Sequence, residues 1–199
     1  MAATLADELR PLLIPEQDVA GLDVHGRVDA AVLVPVYRDG DGELHAVFTR
    51  RRDDLRRHAG EISFPGGRQD VDEGEEHLRQ TALREAEEEV GLDPGAVTLA
   101  GGLQPTPTVV TNYAIYPFVG AIEADQVWTL SAEEVAEVLE LSLRDVRDGY
   151  ARRRLLRRGV PFRTDVYIVG ANLIWGATAR IVADLLERLE PLLDEAAAA

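Results

Sequence analysis

Residues 64–92 read FPGGRQDVDEGEEHLRQTALREAEEEVGL, and the order of parts in this stretch decides how the chain folds. A Pro-Gly-Gly loop leads through an acidic linker into a helix whose last turns carry Arg84, Glu85, Glu87, Glu88 and Glu89. Gly91 closes the helix, because glycine takes the left-handed cap conformation without a side-chain penalty. At about 100° per residue, Glu85, Glu88 and Glu89 fall on one arc of an exposed helix face. Ala82, Ala86 and Val90 make a neighbouring apolar stripe able to pack on a sheet. Like charges at these spacings repel, and the partly negative C-terminal end of the helix adds to the cost. Divalent cations turn that cost into a ligand set of hard oxygens, suited to Mg²⁺ or Mn²⁺. For these three residues taken alone, a solvated acidic face is the alternative.

From Gly67 to Leu92 the chain resembles the Nudix box, G-x5-E-x7-R-E-U-x-E-E-x-G-U, where U is a bulky aliphatic residue. Residues 84–92 fit its second half position for position, with Ala86 small for U. The first half departs: seven residues lie between Glu76 and Arg84, as the motif requires, but eight rather than five separate Glu76 from Gly67. Reading Glu73 as the first glutamate repairs that gap and lengthens the spacer to Arg84. The register with Glu76, and three extra residues in the loop, is preferred here. The resemblance implies Glu85 and Glu89 as the principal Mg²⁺ or Mn²⁺ ligands, with Glu88 a third ligand or the general base. Arg84 then orients the glutamates, and Gly66 and Gly67 let backbone amides approach phosphates.

The 199 residues suit one domain, 1–199, with terminal helices as peripheral additions, and a 46% apolar fraction is enough for an ordinary core. No cysteine is present, which excludes disulfides, thiolate metal sites and a cysteine nucleophile. The start of the chain has no basic and apolar leader pattern, and no apolar run reaches membrane-spanning length, so a cytoplasmic location without membrane contact is expected. A formal charge of -15 argues against nucleic-acid binding, which rests on neutralising phosphates. All 21 basic residues are arginine, clustered at 50–57 and 152–158. Arginine forks grip phosphate in pairs of bonds, so local clusters on an acidic chain suit a small polyanionic ligand. For the second cluster a solvated or dimer-facing surface is the expectation.

Residues 4–13 read as a short amphipathic helix limited by Pro11. Residues 29–38 and 44–51 flank Asp39-Gly40-Asp41-Gly42 as a β-hairpin. Residues 61–64 form a short strand entering the glycines. Beyond the box, 97–103 and 113–122 read as strands joined by a Pro- and Thr-rich loop at 104–112, and 126–130 offers a further strand. Ser131 to Glu134 has the Ser-x-x-Glu form of a helix capping box. Residues 135–141 fit strand or helix, 144–158 look charged and irregular, and 160–169 alternate like a strand. Residues 175–190 predict a long amphipathic helix ending before Pro191. Strands with helices between them mean α/β or α+β; similarity to Nudix hydrolases implies an α/β/α sandwich with a mixed β-sheet.

A second motif precedes the box. Residues 47–52 (VFTRRR), 55–61 (LRRHAGE) and 63–67 (SFPGG) resemble the signature of the coenzyme A pyrophosphatase branch, with Val47-Phe48 in place of paired leucines and Arg52 where serine is usual. Coenzyme A carries a diphosphate and a 3′-phosphate, and Arg50, Arg51, Arg56, Arg57 and His58 are placed to supply positive groups. An arginine-rich surface loop paired with local acids is the competing account of that stretch. The implied reaction is hydrolysis of coenzyme A or a derivative to 3′,5′-ADP and 4′-phosphopantetheine, with ADP-ribose or another nucleoside diphosphate derivative as the alternative substrate. A non-catalytic nucleotide-sensing module is a further alternative. For the general base, Glu133 and Glu134 compete with the box, and helix capping at Ser131 is their structural alternative. The four histidines show no metal-ligand spacing. The C-terminal helix and the apolar segment 173–175 leave room for a homodimer without requiring one.

Overall fold

Apolar residues run almost unbroken through the first long strand because the chain covers it on both faces. A computed structural model describes residues 3–55, 58–69, 78–108, 112–157 and 159–195. Strand β1 (Val28–Arg38) pairs antiparallel with β2 (Leu44–Arg51), and Asp39 closes the turn by accepting hydrogen bonds from the amides of Asp41 and Glu43. Two short strands follow, β3 (Ile62–Ser63) on β2 and β4 (Gly66–Arg68) on β1. Helix α3 (Leu78–Val90) is followed by β5 (Thr98–Gly102), β6 (Thr106–Pro107), β7 (Tyr113–Ala121) and β8 (Val135–Ser142). Strand β7 runs parallel to β1 and the other pairs among the described residues are antiparallel, so the eight-stranded sheet is mixed.

Strand alternation sorts the core. Ala31, Leu33 and Tyr37 of β1 and Val47 of β2 pack with Leu78, Ala82, Ala86 and Val90 of α3. Val34, Val36, Ala46 and Phe48 point to the opposite face, where α1 (Leu5–Leu9) and α5 (Gly176–Glu195) cover them. Thr4 and Asp7 close a reciprocal cap at the start of α1, α2 (Glu16–Val19) follows it, and Val19 joins the core on the α3 side. The result is the expected α/β/α sandwich. A second, three-stranded antiparallel sheet of β9 (Tyr150–Arg157), β10 (Val160–Val169) and β11 (Asn172–Trp175) stands beside it.

Several expectations change. Residues 126–130 form no strand; their backbone is instead pinned to the end of α3, where Thr129 donates to the Val90 carbonyl and Ser131 to the Glu89 carbonyl. No helix follows Ser131: a turn leads into β8, closed by the Ser131 carbonyl accepting from Glu134 and Val135. The charged stretch expected to be irregular is regular over its described residues 144–157, forming α4 (Leu143–Asp148) and then β9, whose pairing with β10 overrides its local polarity. Helix α5 runs through Pro191 to Glu195. Burial of Leu189 and Leu193 on the core face outweighs the one backbone hydrogen bond that proline removes. The choice between Glu73 and Glu76 lies outside the described residues. Among those described, no helix is long and apolar enough to cross a membrane.

Candidate active site

The box helix presents two of its three carboxylates to one place. Glu89 is 5% exposed and Glu85 is largely buried, both close to the β4 segment, whereas Glu88 points outward with its side chain 59% exposed. The shared arc therefore splits, and the face that carries it is not exposed at Glu89. Arg84 explains the split: it reaches Glu85 at 2.9 Å with one nitrogen and Glu88 at 3.1 Å with the other. Glu88 is thus occupied in holding the arginine that orients Glu85.

Gly66 and Gly67 make the packing feasible. A Cβ at Gly67 would fall 2.4 Å from the Glu85 carboxyl carbon, and one at Gly66 would fall 2.4 Å from the Ala31 carbonyl oxygen. The bare backbone lets β4 lie between β1 and α3, with Gly66 hydrogen-bonded through its backbone to Glu89. Arg51, at the end of β2, stands over the carboxylates: it lies 3.7 Å from Glu89 and 3.4 Å from Glu134. The turn pinned to α3 is what brings Glu134 here, because its start is fixed on the carbonyls of Glu89 and Val90.

This concentration of acid shifts the groups within it. Burial pushes the Glu89 carboxyl up to about 8, with Glu134 and Glu85 adding to the rise and Arg51 opposing it. Burial likewise raises Glu85, against the pull of Arg84. Shifts from desolvation combined with specific charged neighbours are characteristic of functional sites. The donors are hard oxygens, and burial makes them reluctant to ionise without a cation. The buried Nε of Arg51 also lacks a hydrogen-bond partner among the described residues. The set suits a hard divalent cation.

A cavity of about 700 Å³ opens beside the glycines. Arg51, His58, Glu61, Phe64, Gly66, Gly67 and Arg68 line one side. His58 sits 2.7 Å from the Glu61 carboxylate. Arg50 does not join them: its neighbour on the strand points the other way, and Arg50 binds Glu137 and Asn172. Arg56 and Arg57 lie outside the described residues.

A family model described as the NUDIX domain matches residues 27–159. The chain belongs to the Nudix family. It is 39% identical over 176 residues to a protein of Cronobacter sakazakii named Uncharacterized Nudix hydrolase NudL, covering 87% of this chain and 88% of that one. A protein of the same name from Escherichia coli is 38% identical over 158 residues, covering 78% and 80%. In fold it is similar to a MutT/nudix family protein from Enterococcus faecalis, with a TM-score of 0.55 at 14% identity over 98% of this chain and 75% of that one. A Caenorhabditis elegans Ap4A hydrolase in binary complex gives 0.50 at 19% identity, over 61% and 85%. Activity as a Nudix pyrophosphohydrolase follows, and Nudix hydrolases generally use divalent metals.

The far wall of the Nudix cavity had no signal in the sequence. Phe162, Thr164, Trp175, Thr178 and Arg180 line it, and they follow the box by 70 residues or more in chain order. A second group, Asp39, Glu43 and His45, brings three possible ligand atoms within 4.8 Å of one another, although the histidine spacing gave no hint of it. It sits at the β1–β2 turn, about 23 Å along β1 from the residues that pair with the glycines, at ~3.3 Å per residue. Its members already serve the fold: Asp39 holds the turn, Glu43 accepts from Ser142, and His45 stacks on Tyr37.

Proposed function

We propose that this Nudix hydrolase cleaves the diphosphate of coenzyme A or a close derivative, giving 3′,5′-ADP and 4′-phosphopantetheine or its acyl form. The observation that carries the reading is Arg51. It belongs to the upstream motif shared with the coenzyme A pyrophosphatase branch, and it lies across the box carboxylates while lining the cavity beside Gly66 and Gly67. One residue thus joins the branch motif to the reaction centre.

Glu85 and Glu89 would hold the divalent cation, which neutralises diphosphate oxygens and lowers the pKa of a water. In the hydrolysis, water adds to one phosphorus, the bridging P–O bond breaks, and two phosphate monoesters result. Glu134 is the base that takes the water proton, because it reaches the acidic cluster while its carboxylate is half exposed and able to move. Glu88 is assigned a positioning role instead, tied to Arg84. Arg51 exchanges its carboxylate partners for phosphate oxygens as substrate enters. Gly66 and Gly67 leave room for the diphosphate against the backbone. Arg68 adds positive charge along the same wall, and the His58 ring offers a hydrogen-bonding group there.

Steady-state turnover of coenzyme A, ADP-ribose and a dinucleoside polyphosphate with Mg²⁺ tests the reading. Coenzyme A is expected to give the highest kcat/KM, with 3′,5′-ADP as the nucleotide product in ¹⁸O-labelled water. Faster turnover of ADP-ribose overturns the branch assignment. Tight nucleotide binding with no turnover of any substrate overturns catalysis itself.

A further inference from the structure

The Nudix match ends at residue 159, yet the cavity does not end with it. Its far wall is built by β10, β11 and the first turns of α5, which follow the matched segment. Two aromatic rings on that wall, Phe162 and Trp175, lie 6.2 Å apart and inclined at 48°. Arg180 completes it, with one guanidinium nitrogen donating to the Pro107 carbonyl. Thr178 donates to the Ile62 carbonyl at 3.1 Å, which clamps the start of α5 to β3 and holds the wall against the sheet.

The charge on Arg180 differs from that on the near wall. Arg51 faces Glu89 and Glu134, and His58 faces Glu61. No carboxylate lies within ion-pair distance of Arg180 among the described residues. Among those residues its hydrogen bond goes to a neutral carbonyl, which fixes the fork while leaving further N–H donors for a ligand. A held guanidinium with no carboxylate in ion-pair range among the described residues, lining the same cavity as two aromatic rings, is the chemistry that takes a planar base together with a phosphate.

We propose that Phe162, Trp175 and Arg180 form a second subsite that binds the nucleoside end of the substrate, the base against the rings and a phosphate outside the scissile diphosphate on Arg180. Identifying that phosphate as the 3′-phosphate rests on the coenzyme A reading. The diphosphate end of the cavity is then at Gly66 and Gly67, and the nucleoside end is at α5.

Calorimetric titration of the full chain with the nucleotides 3′,5′-ADP and 5′-AMP, in Mg²⁺, tests the subsite without any turnover. The wild-type chain is expected to bind 3′,5′-ADP about tenfold tighter, as one charge-assisted pair warrants. Arg180→Gln removes that preference and leaves 5′-AMP within about twofold, while Phe162→Ala weakens both nucleotides alike. Arg180→Lys, which keeps the charge, restores part of the preference and guards against a folding defect. A wild-type chain without the preference, or a preference that survives Arg180→Gln, overturns the subsite. If the preference is present and lost in Arg180→Gln but coenzyme A is a poor substrate, the subsite stands and the coenzyme A reading falls. If coenzyme A is the best substrate and the preference is absent, the reverse holds.

Discussion

Arg51 and Glu89 face one another at 3.7 Å between the end of β2 and the last turn of α3, and the same guanidinium lies 3.4 Å from Glu134. Three elements distant in sequence thus meet on one arginine. It partly neutralises an acidic centre that burial otherwise makes costly, and it occupies ground that a cation and a polyanionic substrate would share.

Glu89→Gln removes a buried charge at that centre and keeps the side-chain volume. Turnover is expected to fall on the order of a hundredfold or more, about 2.7 kcal/mol of barrier, with the fold retained. Kinetics with saturating Mg²⁺, beside a circular dichroism spectrum, check it; near-normal kcat would remove Glu89 from the ligand set.

The same carboxyl makes the metal-free chain sensitive to pH. Burial raises Glu89 from 4.5 in the unfolded chain to about 8 in the folded one, so the folded state holds a proton that the unfolded state releases between those values. Its contribution to stability is full below about 4.5 and is lost as pH rises through about 8, at up to about 1.4 kcal/mol per pH unit for one proton. Urea unfolding in EDTA at pH 5 and pH 8 reads this. Wild type is expected to be weaker at pH 8, and Glu89→Gln to show a flatter profile. Mg²⁺ at pH 8 should recover the wild-type loss.

Glu134 and Glu88 are separable by substitution. Glu134→Gln is expected to lower kcat by roughly 10²–10⁴, the span of general-base contributions, with metal affinity little changed. Glu88→Gln is expected to cost less than about tenfold, because its partner Arg84 retains Glu85. The reverse order would return the base to the box helix.

Arg84→Ala leaves Glu85 without the guanidinium that holds it at 2.9 Å. Affinity for Mn²⁺, followed by its paramagnetic relaxation signal, is expected to drop roughly 10–100-fold, as when groups that orient metal ligands are lost. Unchanged Mn²⁺ binding would mean that Glu85 needs no such support.

The box helix, its glycine cap and the hairpin were legible in the sequence because each depends on local periodicity or turn chemistry: Ala82, Ala86 and Val90 form the stripe, and Gly91 takes φ 72°. Arg50 and Arg51 show the limit of that reading. They are neighbours in one cluster, yet only Arg51 reaches the acidic centre, since consecutive strand residues point to opposite faces. The charged stretch at 150–157 looked irregular for a related reason: its strand exists only in register with β10. Arg180 and Trp175 carry no local signal at all, because long-range packing alone brings them to the cavity.

Helix α5 serves two parts of the molecule. Its first turn borders the cavity, and Leu189 and Leu193 near its far end are buried in the core. A nucleotide spanning from Gly66 to Arg180 would act as a cross-brace between the large sheet and the small one. Occupancy should therefore slow amide exchange even in the last turns of α5, far from any contact with the ligand, and clipping the C-terminal residues should loosen nucleotide binding as well as the core.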